Sequence, residues 1–201
     1  MKITTLAPDA SGLVEWPTLS ANRKSVVTVG VFDGMHRGHQ AVIRRAVELA
    51  KAGKAFSVVV MFDPRPGVVH AYAAAHDGQE PGDGFRDPMA LTSVDQRLRT
   101  LENLGVDHVL IVRYTLAFAT KSYRFFLGQM VGKLGMRTLV LGTDAAMGAN
   151  RAGDVKAIGV LAQATGVFEL EIVDDRGPGH VRVPPRRCRA SLGSLWIRPK
   201  A

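Results

Sequence analysis

The feature that most constrains this chain is the alternation of short, almost wholly apolar runs with stretches of helical spacing. SVVTVGVF (25–32) and FSVVVMF (56–62) are β-branched and too short to be helices, so they predict buried strands. Between them Val42, Ile43, Ala46, Val47 and Ala50 recur at helical spacing, and Gly53 suits the stop. Further along, Ser93 and Gln96 fit a capping box, and Val94, Leu98, Leu101 and Leu104 share a face that ends at Gly105. HVLIV (108–112) is the next strand. KSYRFFLGQMVGKLG (121–135) reads as a helix with Phe125, Phe126, Met130 and Leu134 inward. TLVLG (138–142), a helix over 154–165 ended by Gly166, and FELEIV (168–173) complete the series. Alternation of this kind predicts an α/β fold, a doubly wound parallel sheet of five strands with helices on both faces. Residues 74–90, AAHDGQEPGDGFRDPMA, read as a long flexible loop.

Composition narrows the class. With 46% apolar residues the chain can bury a sizeable core. No apolar run approaches the roughly 18 residues of a membrane span. The first residues lack the apolar centre of a signal peptide, and Cys188 is the single cysteine. The expectation is a cytoplasmic protein without a disulfide framework. The net charge of +8 is uneven: seven basic residues and no acid lie from Arg176 onward, leaving +1 for residues 1–175. The expected organisation is one domain over 1–175 and a basic segment over 176–201. Such a segment suits a solvated end, nucleic acid, or a phosphate-rich ligand. Trp196 is the only aromatic residue after Phe168, so base stacking has little to work with and nucleic acid is not the expected partner.

The strand-to-helix junction GVFDGMHRGH (30–39) carries the chemistry. In sheets of this type, ligands lie beyond the carboxyl ends of the strands. Free amides at a helix start attract phosphate, and Gly34 and Gly38 let the backbone approach it. His36 and His39, three apart, can both reach one phosphate chain and stabilise charge that grows during phosphoryl transfer. A lone histidine here would more often be a satisfied helix-start residue. A metal site from Asp33, His36 and His39 would leave the glycines unexplained.

GVFDGMHRGH resembles the G-x-F-D-G-x-H-x-G-H signature of the bacterial FAD synthetase family, the flavin branch of the H-x-G-H nucleotidyltransferases. MFDPRP (61–66), LTSVDQRLRTLENLGVDHVLIV (91–112) and LVLGTDAAMGANRAGD (139–154) are similar to later family segments, in the same order. The resemblance implies a Rossmann-like nucleotidyltransferase fold. It implies transfer of AMP from ATP to FMN, giving FAD and pyrophosphate with Mg2+. His36 and His39 would be catalytic. Gly30, Val31, Phe32, Asp33, Gly34 and Gly38, with Ser194 and Arg198, would hold ATP. Phe62, Asp63, Pro64, Arg65, Asp144, Arg151 and Asp154 would hold FMN, and Asp144 would also serve the metal.

Three departures bear on activity. Arg65 stands where the family has a histidine; it suits a phosphate contact or a surface cation. Ala145, Ala146 and Met147 replace Phe-Arg-Phe, removing two rings and a cation. LGSLWIR (192–198) aligns with the family's [IV]-S-S-T-x-I-R but has Gly193 and Leu195 in place of a serine and the threonine. No riboflavin kinase domain is expected. The alternatives are an impaired member that binds nucleotide or flavin as a regulatory module, or a transferase for another acceptor. Oligomeric state is not legible.

Overall fold

The computed structural model describes residues 1–174 and, as backbone, 180–183. The strands of the main sheet are β1 (Lys2–Leu6), β2 (Ser25–Gly30), β3 (Phe56–Phe62), β4 (His108–Val112), β5 (Met136–Gly142), β8 (Glu169–Val173) and β9 (His180–Val183). A two-stranded ribbon of β6 (Ala146–Met147) and β7 (Gly153–Asp154) lies apart from it. The helices are α1 (Arg37–Ala52), α2 (Pro66–Ala75), α3 (Val94–Asn103), the single turn α4 (Leu116–Ala119), α5 (Tyr123–Leu134) and α6 (Val155–Thr165).

The main sheet has seven strands in the order β1-β4-β3-β2-β5-β8-β9. All five expected strands are present and parallel. Two more extend the sheet beyond the expected five. KITTL (2–6) pairs parallel with β4, and HVRV (180–183) pairs antiparallel with β8. Neither is a long apolar run, because an edge strand needs cover on fewer sides. The last of these strands lies inside the segment expected to be a separate basic tail.

The apolar runs obey the two-residue period of a pleated sheet. Val27, Val29, Val58, Val60, Leu110, Val112, Leu139 and Leu141 face one core with α5 and α6 residues such as Phe126, Met130, Leu134 and Ile158. Val59, Met61, Val109 and Ile111 face the other side, against Ile43, Val47 and Leu101. Val26 and Val140 do the same against Val42, Ala46 and Ala50. All five apolar residues predicted for α1 are buried. On α5, Phe126, Met130 and Leu134 are buried, but Phe125 is 41% exposed: it falls outside the stripe its neighbours define.

Local signals account for the ends. Ser93 and Gln96 form the capping box that opens α3, and Gly135 and Gly166 adopt left-handed conformations that stop α5 and α6. The helix α2 was not anticipated from the sequence; Pro66 at its first turn is well placed to start one. Residues 74–90 read as a flexible loop, but Ala74 and Ala75 belong to α2 and the rest is tied down at several points. Glu80 accepts from the Leu116 amide, Asp83 pairs with Arg113, and Asp87 pairs with Arg65. Among the described residues no helix is long and apolar enough to cross a membrane.

Candidate active site

Strand order reverses at β2: the chain runs outward to β3 and β4 on one side and to β5 and β8 on the other. Turns that diverge at such a point leave a crevice. Here it is a cavity of about 650 Å3.

Its floor is the junction after β2. Phe32 and Met35 have positive φ (53° and 41°), as does Gly34 (71°). A non-glycine residue in this region costs of order 1–3 kcal/mol and persists only where the surroundings enforce it. Here burial of Phe32 and Met35 in the core beneath α1 enforces it. The turn presents the start of α1 to the cavity, with Gly38 in its wall.

His36 is the N-cap of α1, and its Nδ1 accepts from the His39 amide at 3.4 Å. Accepting at Nδ1 leaves the proton of the neutral ring on Nε2, as a donor to an incoming anion. The His36 and His39 rings stack with centroids 3.6 Å apart, and Phe32 presents its edge to His39 at 5.4 Å. The two imidazoles therefore form one unit at the positive end of a 16-residue helix.

Asp33 braces this corner. Its carboxylate accepts from the Leu91 and Thr92 amides at 3.1 and 3.0 Å and from the Thr92 hydroxyl at 3.1 Å. Arg65 bridges it, at 3.1 Å, to Asp87. Burial, the largest influence on Asp33, opposes its ionisation. The two amides, the hydroxyl and the Arg65 charge together outweigh it and hold the carboxyl below its ordinary value. For Asp87 the Arg65 hydrogen bond dominates and acts in the same direction.

A second wall is aromatic. Phe62, Tyr114, Phe118 and Phe126 pack with centroids 5.8–6.3 Å apart and line the cavity. Tyr114 shares a 3.1 Å hydrogen bond with His70, and burial pushes its phenol pKa up, keeping it neutral. The third wall is the turn after β5: Gly142, Asp144, Ala145, Ala146, Met147, Gly148 and Arg151.

The structure thus gathers Gly30, Val31, Phe32, Asp33, His36, Gly38, His39, Phe62, Arg65, Asp144 and Arg151 around one cavity. Others expected there have different duties. The Gly34 amide donates to Thr92. Asp63 accepts from Arg97 at 2.8 Å, and Pro64 follows it in the turn without lining the cavity. Asp154 caps α6 by accepting from the Ala157 amide. Ser194 and Arg198 lie outside the described residues.

Sequence reasoning missed several participants. Arg97, 2% exposed, donates to the Val31 carbonyl and to Asp63, tying together the turns after β2 and β3. It lies on the same face of α3 as Val94, Leu101 and Leu104, so its charge and not its spacing argued against burial. Tyr114 and Phe118 fall between β4 and the helix expected from 121, where no periodic signal marks them, and Lys121 stands at the expected start of that helix.

Among the described residues no group of three or more His, Cys, Asp or Glu side chains could enclose a metal. Mg2+ does not need one, since it usually takes one or two carboxylates and substrate phosphates. Asp144, exposed at the cavity wall, fits that part; Asp33 is already engaged by Arg65 and the Thr92 segment.

Two curated relatives are described as bifunctional riboflavin kinase/FMN adenylyltransferases. The one from Listeria monocytogenes is 28% identical over 178 residues, 89% of this chain and 51% of the relative. The one from Escherichia coli is 31% identical over 171 residues, 83% of this chain and 50% of the relative. The chain spans about half the length of the curated relatives it matches. A crystal structure described as a macrolide-efflux protein from Streptococcus pneumoniae superposes with a TM-score of 0.61 at 21% identity, over 85% of this chain and 49% of that one, a likeness of fold. The family model for FAD synthetase matches residues 18–186, and the chain belongs to the FAD synthetase family.

Proposed function

We propose that this chain is an FMN adenylyltransferase, which transfers AMP from ATP to FMN and releases pyrophosphate. The observation that carries the reading is one cavity joining a phosphate-binding helix start, with stacked His36 and His39, to an aromatic wall that suits a flavin ring.

ATP lies along the turn after β2, with its phosphates against the start of α1. The flavin ring stacks near Phe62, Tyr114 and Phe118. The FMN phosphate is already anionic at neutral pH and needs no general base. One of its oxygens bonds to the α-phosphorus of ATP while the bond from that phosphorus to the β-bridging oxygen breaks, and pyrophosphate leaves with those electrons. Such a step needs alignment and neutralisation of charge more than covalent help. His36 and His39 supply donors where that charge grows, and the helix dipole adds to them. Asp33, braced by Arg65 and Thr92, fixes the turn that orients both rings. Asp144 would hold Mg2+, which when bound neutralises phosphate charge.

Incubation of the protein with FMN, ATP and Mg2+ tests the reading. Formation of FAD and pyrophosphate in equal amounts is expected; no FAD at high protein concentration counts against it. The replacement of two rings and a cation by Ala145, Ala146 and Met147 favours a second reading, a member that binds its ligands with little turnover. Binding of ATP and FMN without FAD formation would select it.

A further inference from the structure

We infer that Lys121 is a specificity-determining residue that binds the phosphate of the flavin substrate and so separates FMN from riboflavin. The inference rests on the FMN adenylyltransferase reading and names a group within that site.

Lys121 lines the cavity from the junction between α4 and α5, three residues beyond Phe118 of the aromatic wall. It is half-buried, and its ammonium makes no hydrogen bond or ion pair with the described residues. Its field does help hold the Asp9 carboxyl below its ordinary value, behind the stronger influence of Ser11 and Leu13. The other basic groups on the cavity are more committed. Arg65 is held by Asp33 and Asp87, and Arg151 reaches back to the Asp144 carbonyl at 3.5 Å. A cation in a cavity's lining that makes no ion pair there suits an anionic ligand.

The backbone around Lys121 is held in place. Its carbonyl accepts from the Ala149 amide at 2.9 Å. A Cβ on Gly148 would come within 2.3 Å of the Tyr123 nitrogen, and one on Gly153 within 2.4 Å of the Tyr123 Cβ. The turn after β5 and the start of α5 therefore touch backbone to backbone, which only glycine allows. This contact joins Lys121 to the turn after β5, whose Ala145, Ala146 and Met147 line the same cavity. None of those three is charged, so among the described residues Arg151 is the one cation that the turn itself places in the lining. A flavin ring on the aromatic wall puts its phosphate-bearing chain within the same cavity as Lys121 and the α1 start. Riboflavin, lacking the phosphate, has nothing to offer the ammonium.

The test is equilibrium titration of the full chain and of Lys121→Gln and Lys121→Arg with FMN, riboflavin and ATP, read by flavin fluorescence or calorimetry. Loss of one charge-assisted contact predicts FMN binding weakened roughly tenfold in Lys121→Gln, with riboflavin changed by less than about twofold. Lys121→Arg is expected to restore most of the FMN affinity. Independently of any variant, FMN binding to the wild-type chain is expected to fall with added salt more steeply than riboflavin binding. Equal weakening of both flavins, unchanged FMN binding, or a loss confined to ATP would overturn the assignment while leaving the adenylyltransferase reading intact. A wild-type chain that binds neither flavin would overturn that reading and the assignment with it.

Discussion

His36 and His39 share one corner of the cavity. One caps α1 and the other follows in its first turn, so stacking at 3.6 Å aims both rings at the same space. A donor placed where charge develops contributes more to the transition state than to the bound ground state. His39→Ala is therefore expected to lower turnover roughly 100-fold, the usual scale for one preorganised donor. ATP affinity is expected to change far less. Steady-state rates beside ATP titration check this, and equal losses in both would contradict it. That both line the cavity was legible from a glycine-flanked H-x-x-H at a strand-to-helix junction. Arg97 was not. Its position falls on the apolar face of α3, but a charge is expected in solvent, and only the fold reveals Asp63 and the Val31 carbonyl as its partners. Asp63, Gly34 and Asp154 do not line the cavity. Motif membership marked them for ligands, and local hydrogen bonds take them for the frame.

At the scale of elements, long apolar or periodic segments declared themselves and short ones did not. The strands at 25–30, 56–62 and 108–112 needed only their β-branched runs. KITTL at the sheet edge and the ten-residue α2 carry weak patterns, and tertiary contacts decide them. The segment 76–92 is the instructive case. Its Gly, Pro and Asp content hides the fact that its acids are partners for Arg65 and Arg113. Its tether to the active-site corner is electrostatic, and so depends on pH. Asp33 and Asp87 both have their pKa lowered in the fold from the ordinary 3.8. A carboxyl held lower in the folded state contributes its stability in full above the ordinary value. That contribution is lost as the pH falls through the lower folded value. Protection of the Leu91 and Thr92 amides, which donate to Asp33, is therefore expected to persist from neutral pH down to 3.8 and to be lost as the pH falls further, through the lower folded value. Arg65→Met is expected to move the loss to higher pH. Hydrogen-exchange protection factors measured across this range check both, and loss of protection already near pH 6 would show that something else holds the segment.

For the whole molecule, the decisive fact is that one cavity lies across the seam of the sheet. Phe32, Phe62 and Arg65 reach it from the β2–β3 side, and Gly142, Met147 and Arg151 from the β5 side. A ligand lodged there contacts both halves, so unfolding either half must release it. Ligand present at a hundredfold its dissociation constant adds about 2.7 kcal/mol to the folded state. For a domain near 200 residues, each kcal/mol raises the melting temperature by about 2–4 °C. ATP at that excess is therefore expected to raise the melting temperature by roughly 5–10 °C, as one transition rather than two. FMN alone should act in the same direction, because the aromatic wall is shared between Phe62 on β3 and Phe126 on α5. Differential scanning calorimetry at fixed protein concentration decides the matter. A shift confined to one of two resolved transitions would mean that the halves melt separately and that the cavity belongs to only one of them. No shift with either ligand, at concentrations where binding is saturated, would mean that the site measured is not the seam.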